Sequence, residues 1–261
     1  MSPDETPTRP EYLPLLEPIE PVPPLEPLRR RREPFWGYPD LFMVLGLLFA
    51  AIVVMGLGAI AITLIWRSVS LTSPAMAFGS NLVIYLALLL IFKFVFQLRY
   101  GQPFLRPLGW RMTDAAKVGY AAVCGLALPF VISGIGYVLR MPKVETQMDE
   151  MMKSMPIAVL VPMAVILAPF FEELFFRGFL QPLLTRTFGL VLGIVITGAL
   201  FGALHAAEYS FIWQYIVAIG LVGVALGAMR AWTNSIVTST VMHACFNGLQ
   251  VVALVVSKHP K

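Results

Sequence analysis

The chain has 261 residues, of which 58% are hydrophobic and only 13% are charged. Because soluble domains carry about 25% charged residues, this composition excludes an ordinary soluble enzyme and predicts a membrane protein. The formal net charge of +4 is modest, and much of it comes from four arginines at 29–32, which indicate membrane topology rather than nucleic-acid binding. The two cysteines, Cys124 and Cys245, lie in apolar stretches and form neither a zinc motif nor a disulfide framework.

The first 34 residues repeat Glu-Pro and Pro-Leu pairs, and such a segment cannot bury a core. We predict a disordered cytoplasmic tail over 1–34 that acts as a tether. The chain shows no cleavable signal peptide at its start, so the first apolar span is expected to serve as its own insertion signal. Phe35, Trp36 and Tyr38 follow the tail and are predicted to form an interfacial aromatic anchor.

Long apolar runs dominate the rest of the chain, and runs of about 20 residues predict membrane-crossing helices. The predicted fold is an all-α polytopic membrane bundle of about seven or eight transmembrane helices. The segment 143–155 predicts an amphipathic interfacial helix, or the beginning of a long fourth span. We divide the chain into N-terminal helices and the interfacial segment at 35–150, and a catalytic bundle at 151–257. The seven predicted spans are 41–66, 76–98, 115–139, 157–184, 188–206, 211–229 and 235–256.

The distribution of basic residues predicts an orientation, because cytoplasmic loops carry an excess of lysine and arginine. The arginines at 29–32 and the four basic residues in the loop after the second span place the N-terminus in the cytoplasm. Seven spans then put the C-terminus on the other side. In a bacterial source this membrane would be the cytoplasmic, or inner, membrane.

Two adjacent glutamates, Glu172 and Glu173, lie in the middle of the fourth apolar span. A carboxylate near the bilayer centre costs roughly 2.5–3.5 kcal/mol on insertion scales, so such a pair indicates a functional site. Glu173 and Arg177 are four residues apart and therefore share a helix face, where they can form an ion pair. Glu172 points about 100° away. A salt bridge that only orders the bundle needs one glutamate, which leaves Glu172 available as a general base.

Histidines occur in two later spans. His205 lies four residues after Phe201 in FGALH, and His243 lies four residues before Asn247 in HACFN. A lone histidine on an apolar helix is usually a packed core residue. Two on different helices, with an asparagine on the same face as one of them, favour a hydrolytic site instead. Neutral imidazole can take a proton from water or bind a metal, and an amide can donate to an oxyanion.

These residue types suggest a division of roles. Glu172 with His205 would activate a water molecule, while His243 and Asn247 would donate to the scissile carbonyl. The neighbouring ion pair would hold the helix and set the local charge. General-base assistance is worth about 10²–10⁴-fold in rate, and an oxyanion donor about 10²–10³-fold.

The predicted depths of these residues conflict with a single site. Glu172 falls near mid-membrane, His205 at the far end of its span, and His243 about eight residues into the last one. At 1.5 Å per residue these depths differ by about 10–15 Å. We therefore expect the fifth span to begin later and to continue past His205, since residues at different depths could not act together.

Three motifs in order, EELFFR at 172–177, FGALH at 201–205 and HACFN at 243–247, closely resemble the CPBP family. This family contains the CAAX prenyl endopeptidases and their bacteriocin-processing or immunity relatives, and is also called the Abi family. The resemblance covers about 152–256. It implies an intramembrane endopeptidase whose conical cavity is lined by the motif residues, Phe201 included. It also implies that Glu172 and His205 activate water while His243 and Asn247 stabilise the oxyanion.

Metal dependence stays open at this stage. The resemblance is compatible with a metalloprotease, and Glu172, His205 and His243 could supply the three protein ligands of a catalytic zinc. We favour metal-free catalysis with no cofactor. The sequence has no His-Glu-x-x-His motif, no Gly-x-Ser-x-Gly motif and no aspartate inside a predicted span, which argues against zincins and the usual serine and aspartyl routes.

The expected partners are membrane lipid and a peptide, lipidated protein or membrane-protein substrate, with no nucleic acid. Two other functions are compatible with the same residues. A non-catalytic immunity factor or membrane scaffold of this family would keep the motifs as structure and tolerate Glu172→Gln. An ion- or proton-coupled transporter would also use intramembrane Glu and His, but often shows paired repeats, which this sequence lacks.

Overall fold

The computed structural model describes residues 34–258, apart from 68, 69 and 72. The predicted tail over 1–34 therefore lies outside the described residues except for Pro34, as do the arginines at 29–32. Within the described part, eight helices and no strand are present, which confirms the predicted polytopic helical bundle. The proposed division of the chain near residue 150 stays a prediction.

Seven of these helices correspond one for one to the predicted spans. Six are long and apolar enough to cross a membrane, and the seventh, with 15 residues, is shorter. The eighth is the short α4, the interfacial helix predicted between spans three and four. The helices are α1 Tyr38–Ile65, α2 Pro74–Tyr100, α3 Ala115–Val138, α4 Gln147–Ser154, α5 Ile157–Phe188, α6 Leu190–Leu204, α7 Trp213–Thr233 and α8 Ile236–Lys258.

Local sequence explains several helix ends. The Thr146 hydroxyl accepts from the Asp149 amide at the start of α4, and Pro156 separates that helix from α5. The alternative in which α4 begins a long fourth span is therefore wrong. At the start of α2 the Ser73 hydroxyl accepts from the Met76 amide, and the helix ends at Gly101 with φ +62°.

The end of α6 departs from expectation. We expected this span to continue past His205, but the helix stops at Leu204 and residues 205–211 form turns. The His205 amide already donates to the Gly202 carbonyl, three residues back, and Ser210 and Phe211 both adopt positive φ. A non-glycine residue in that region cannot continue a right-handed helix. The catalytic candidate His205 therefore lies at a helix end.

The contact between α6 and α7 depends on glycines. A Cβ added at Gly202 would overlap the Ile216 carbonyl oxygen and lie 2.8 Å from the Gly220 nitrogen. Small residues at such crossings let helix backbones approach closely. The close approach fixes the position of α6, and therefore of His205, against α7.

Gly202→Ala is expected to destabilise the protein by about 1–3 kcal/mol, because the backbone of α7 cannot yield to the extra methyl group. Gly220→Ala is the matched control, since its Cβ would lie 3.5 Å from the nearest atom. That variant should be as stable as wild type or slightly more so, because alanine favours a helix by roughly 0.5–1 kcal/mol. Melting in detergent checks both variants. Equal melting temperatures would contradict the packing argument.

The aromatic segment before α1 was predicted to be an interfacial anchor, and for Trp36 this is wrong. Its side chain is only 2% exposed, and its indole stacks on Phe179 of α5 with ring centroids 5.9 Å apart. The indole N–H donates to the Phe179 carbonyl at 3.1 Å. A buried tryptophan needs a hydrogen-bond partner for its N–H, and the Phe179 carbonyl supplies it here.

Candidate active site

Helix α5 is not a regular α-helix around its two glutamates. Two π-helical segments, Met163–Leu167 and Leu174–Leu180, flank the residues between them. The Ala168 amide donates to the Met163 carbonyl, five residues back, and the Gln181 amide reaches the Phe176 carbonyl over the same spacing. Such wide turns are rare and frequently mark functional sites. The π turns change which residues share a helix face. The directions of the two glutamate side chains therefore depend on these turns as well as on the spacing of the residues.

The predicted ion pair is present and fully buried. Arg177 Nη1 lies 2.8 Å from Glu173 Oε1, and both side chains are 0% exposed. The guanidinium also donates through Nη2 to the Gly223 carbonyl of α7 at 2.9 Å and lies 4.6 Å from the Phe201 ring centroid. A buried charge requires such pairing, and here the pair also ties α5 to α7.

His243 contacts both glutamates. Its Nδ1 lies 3.1 Å from Glu173 Oε1, and its Nε2 lies 3.8 Å from Glu172 Oε2. The paired carboxylate of Glu173 can only accept, so His243 Nδ1 carries the proton of that hydrogen bond. The two ring nitrogens therefore have different partners, and the imidazole lies between Glu173, which is paired with Arg177, and Glu172.

Glu172 is the accessible member of the glutamate pair. Its side chain is 23% exposed, whereas that of Glu173 is 0% exposed. Among the residues described, no lysine or arginine forms an ion pair with Glu172. A partly exposed carboxylate that is not paired with a lysine or arginine can accept a proton from water or from a substrate, and this is the property of a general base.

His205 is fixed by the last turn of α6. Its Nδ1 lies 2.8 Å from the Phe201 carbonyl oxygen, which can only accept, so Nδ1 carries the proton. In the neutral ring the lone pair is then on Nε2, which can accept a proton from water. The Phe201 ring lies 4.6 Å from the His205 ring and 5.8 Å from the His243 ring, centroid to centroid. Phe201 is 2% exposed and therefore packs behind both imidazoles.

Asn247 lies one turn beyond His243 on α8. Its Nδ2 donates to the Ala164 carbonyl at 2.9 Å, within the first π segment of α5. A primary amide has two N–H groups, so one N–H of Asn247 is committed to the backbone and one is left for another acceptor. The predicted oxyanion donor thus also holds α5 against α8.

The contacts resolve the conflict of depths. Since His243 touches both glutamates, α8 and the middle of α5 meet at one level, and the predicted separation of 10–15 Å for this pair does not exist. Phe201 connects the two histidines in the same way. The structure thus brings the three motifs into one cluster, whereas no direct Glu172–His205 contact is seen in the described part of the chain. The catalytic roles of these residues stay predictions.

Two neighbours of the cluster are absent from the predicted site. Tyr85 of α2 stacks on Phe171, beside Glu172, with centroids 4.5 Å apart. Glu208 lies on the turn after His205, and burial raises its pKa, with the negative charge of Glu172 adding to the shift and His205 opposing it. Nothing in the sequence marks Tyr85, whereas Glu208 is marked by its position three residues after His205.

Glu208→Gln is expected to make the protein more stable at alkaline pH. An acid with a raised pKa in the folded state stabilises it below the unfolded pKa, about 4.3, and loses that contribution as pH rises through the folded pKa. Melting in detergent should give the variant a higher melting temperature than wild type near about pH 8, with convergence towards about pH 4. A difference that grows towards acid pH would contradict this sign.

The alternative zinc set of Glu172, His205 and His243 stays a prediction. His243 Nδ1 faces Glu173 and His205 Nδ1 faces a carbonyl, so the Nε2 atoms of the two rings are the nitrogens available to a metal. Across the described residues, no group of three His, Cys, Asp or Glu side chains is placed to hold a metal ion. We therefore derive no step through a metal.

Comparison with known families supports the motif-based resemblance. A family model described as type II CAAX prenyl endopeptidase, Rce1-like, matches residues 154–249, which include all three motifs. This segment is similar to that family. The resemblance predicted from the motifs is thereby confirmed, and the coarse function it supports is that of a membrane-embedded protease of the CAAX type. No curated protein and no solved structure matches the chain.

Proposed function

We propose that this Rce1-like protein is an intramembrane endopeptidase that hydrolyses a peptide bond with water activated by Glu172 and His205. The observation that carries the proposal is the contrast within the glutamate pair. Glu173 is buried and neutralised by Arg177, whereas Glu172 is partly open beside His243. A salt bridge that only orders the bundle does not need the second carboxylate.

The proposed reaction conserves atoms and protons. Glu172, with His205 Nε2 as a second acceptor, takes a proton as the water oxygen bonds to the carbonyl carbon. The resulting oxyanion accepts from the second N–H of Asn247, and from His243 Nε2 when that ring is doubly protonated. The C–N bond then breaks and the stored proton passes to the leaving amine. The products are a new carboxylic acid and a new amine, and the proton of the acid then passes to the amine, which gives a carboxylate and an ammonium group.

We propose a peptide substrate that carries a lipid group or is itself membrane-embedded. The candidate residues lie at the end of the short helix α6 and on its neighbours, and six helices of the described part are long and apolar enough to cross a membrane. A cavity of about 680 Å³ is lined by Ala116, Lys117, Tyr120 and Trp232. It lies near the last turn of α7, away from His205, so we do not propose it as the substrate site. The cytoplasmic N-terminus also stays a proposal.

A cleavage assay in liposomes tests the function. The full chain is offered a fluorogenic prenylated CAAX peptide and a library of membrane peptides, each with and without a strong zinc chelator. We expect cleavage that survives the chelator and is lost in Glu172→Ala. Asp114→Ala is the control, because Asp114 is an exposed acid beside Lys117, at the start of α3.

Each other outcome has a distinct meaning. Activity that the chelator removes and zinc restores would overturn the metal-free mechanism. Cleavage unchanged in both Glu172→Ala and His205→Ala would overturn the catalytic site. Protection or scaffolding that persists in Glu172→Gln would favour a non-catalytic role, and proton flux lost in that variant would favour a transporter.

A further inference from the structure

The second π segment of α5 has a hydrogen-bond partner outside its own helix. Wide π turns disturb the regular hydrogen bonding of a helix, so they persist where the surroundings satisfy the displaced backbone groups. The segment Leu174–Leu180 directly follows the glutamates and contains Arg177. Its geometry therefore affects how the ion pair, and with it His243, is placed.

Trp36 supplies such a partner. Its N–H donates to the carbonyl of Phe179, inside this segment, at 3.1 Å. Its ring stacks on the Phe179 ring with an interplanar angle of 14° and meets Phe35 and Phe96 at 5.3 and 5.6 Å. The hydrogen bond is buried and free from competition with water, which makes it stronger than the same bond at a surface.

The residues around Trp36 are themselves held by hydrogen bonds and an ion pair. The Asp40 carboxylate accepts from the Gly37 amide at 2.8 Å and from the Tyr100 hydroxyl at 2.6 Å, and it lies 3.1 Å from Arg99. At the other side, Arg186 near the end of α5 donates to the Pro34 carbonyl at 2.7 Å. The segment before α1 is thus fastened to both α2 and α5, and the indole has a fixed position.

The first π segment has a matching arrangement. There the Asn247 amide donates to the Ala164 carbonyl. Side-chain donors from two distant parts of the chain therefore reach one carbonyl in each π segment, on either side of Glu172 and Glu173. This symmetry indicates that the irregular geometry of α5 is held from outside.

We propose that Trp36 is a positioning residue for catalysis, acting through the π segment that carries Arg177. This proposal rests on the proposed function. Without the indole N–H, the Phe179 carbonyl is left to bond within its own helix, which favours an α-helical turn. A change of one residue in register rotates the helix by about 100° on one side of the change. The glutamates would then be misplaced relative to His205 and His243.

Trp36 touches no reacting atom, so its loss should act on kcat rather than on substrate binding. A misplacement of 1 Å can cost about 10²-fold in rate. The remaining aromatic rings still pack in the variant, so only the hydrogen bond is lost. We therefore expect kcat to fall about tenfold, which is less than the loss for a full 1 Å misplacement.

The test compares Trp36→Phe with Trp232→Phe, whose tryptophan is 58% exposed, in the liposome cleavage assay. We expect Trp36→Phe to lower kcat about tenfold with KM within about twofold of wild type. Amide hydrogen exchange should change over residues 174–181, because the hydrogen-bond pattern of the π segment changes there. If the phenylalanine variant fails to fold, benzothienylalanine at position 36 keeps the shape of the ring and lacks only the N–H.

The outcomes separate the two proposals. Wild-type cleavage with full kcat in both position-36 variants would overturn the role of Trp36 and leave the protease intact. The role of Trp36 would also be overturned if the apparent kcat falls only in proportion to the fraction of folded protein and hydrogen exchange over 174–181 is unchanged. No cleavage by wild type on any peptide, together with unchanged exchange, would overturn both.

Discussion

Replacing Glu172 with glutamine is expected to lower kcat by about 10²–10⁴-fold, the usual worth of a general base. The amide keeps the size of the side chain and can still face His243, so the fold should persist. Because Glu172 is partly exposed and has no ion pair with lysine or arginine among the described residues, its loss leaves no buried charge without a partner. Steady-state cleavage and detergent melting, measured together, check this prediction.

The control for this variant is Glu150→Gln, an exposed acid on α4. It should cleave as wild type does. Wild-type rates in Glu172→Gln would show that this carboxylate is not the base. A loss of activity that follows a lower melting temperature would instead assign Glu172 a structural role, as the non-catalytic interpretation requires.

Replacing Arg177 with methionine is expected to prevent stable folding. Its guanidinium is 0% exposed and neutralises Glu173, which is also 0% exposed. Removing one partner of a buried ion pair costs about 3–5 kcal/mol, because the other charge is left without compensation. The variant also loses the hydrogen bond to the Gly223 carbonyl. Yield of folded protein and the detergent melting temperature report the effect.

A compensating variant separates charge from packing. In Glu173→Gln/Arg177→Met no unpaired carboxylate is left, so a large part of the stability should return, although His243 loses its charged acceptor. Arg67→Met is the control, since Arg67 is exposed. If the double variant is as unstable as Arg177→Met alone, the loss reflects packing and the Gly223 contact rather than buried charge.

Periodicity predicted the faces of helices but not which helices meet. The four-residue spacing predicted the Glu173–Arg177 pair, which is present at 2.8 Å. The same spacing could not show that His243 lies between the two glutamates, because that contact joins residues about seventy positions apart. The sequence therefore predicted the members of the candidate site, and the structure adds their neighbours.

Other features depended on tertiary partners that local patterns do not reveal. The π segments of α5 are accompanied by donors from Trp36 and Asn247, so a uniform period of 3.6 residues could not predict them. The aromatic residues before α1 have the composition of an interfacial anchor, and only the buried acceptor at Phe179 explains why Trp36 is inside. The end of α6 at Leu204 was missed because its apolar pattern continues into the turn.

Isotope labelling tests the central claim, that Glu172 activates water for peptide hydrolysis, most directly. Cleavage is run in H₂¹⁸O with a chelator present, and the new C-terminus is examined by mass spectrometry for wild type and Glu172→Gln. We expect wild type to incorporate solvent oxygen into the new carboxylate and the variant to form almost no product. Labelled product formed by Glu172→Gln at the wild-type rate would contradict it.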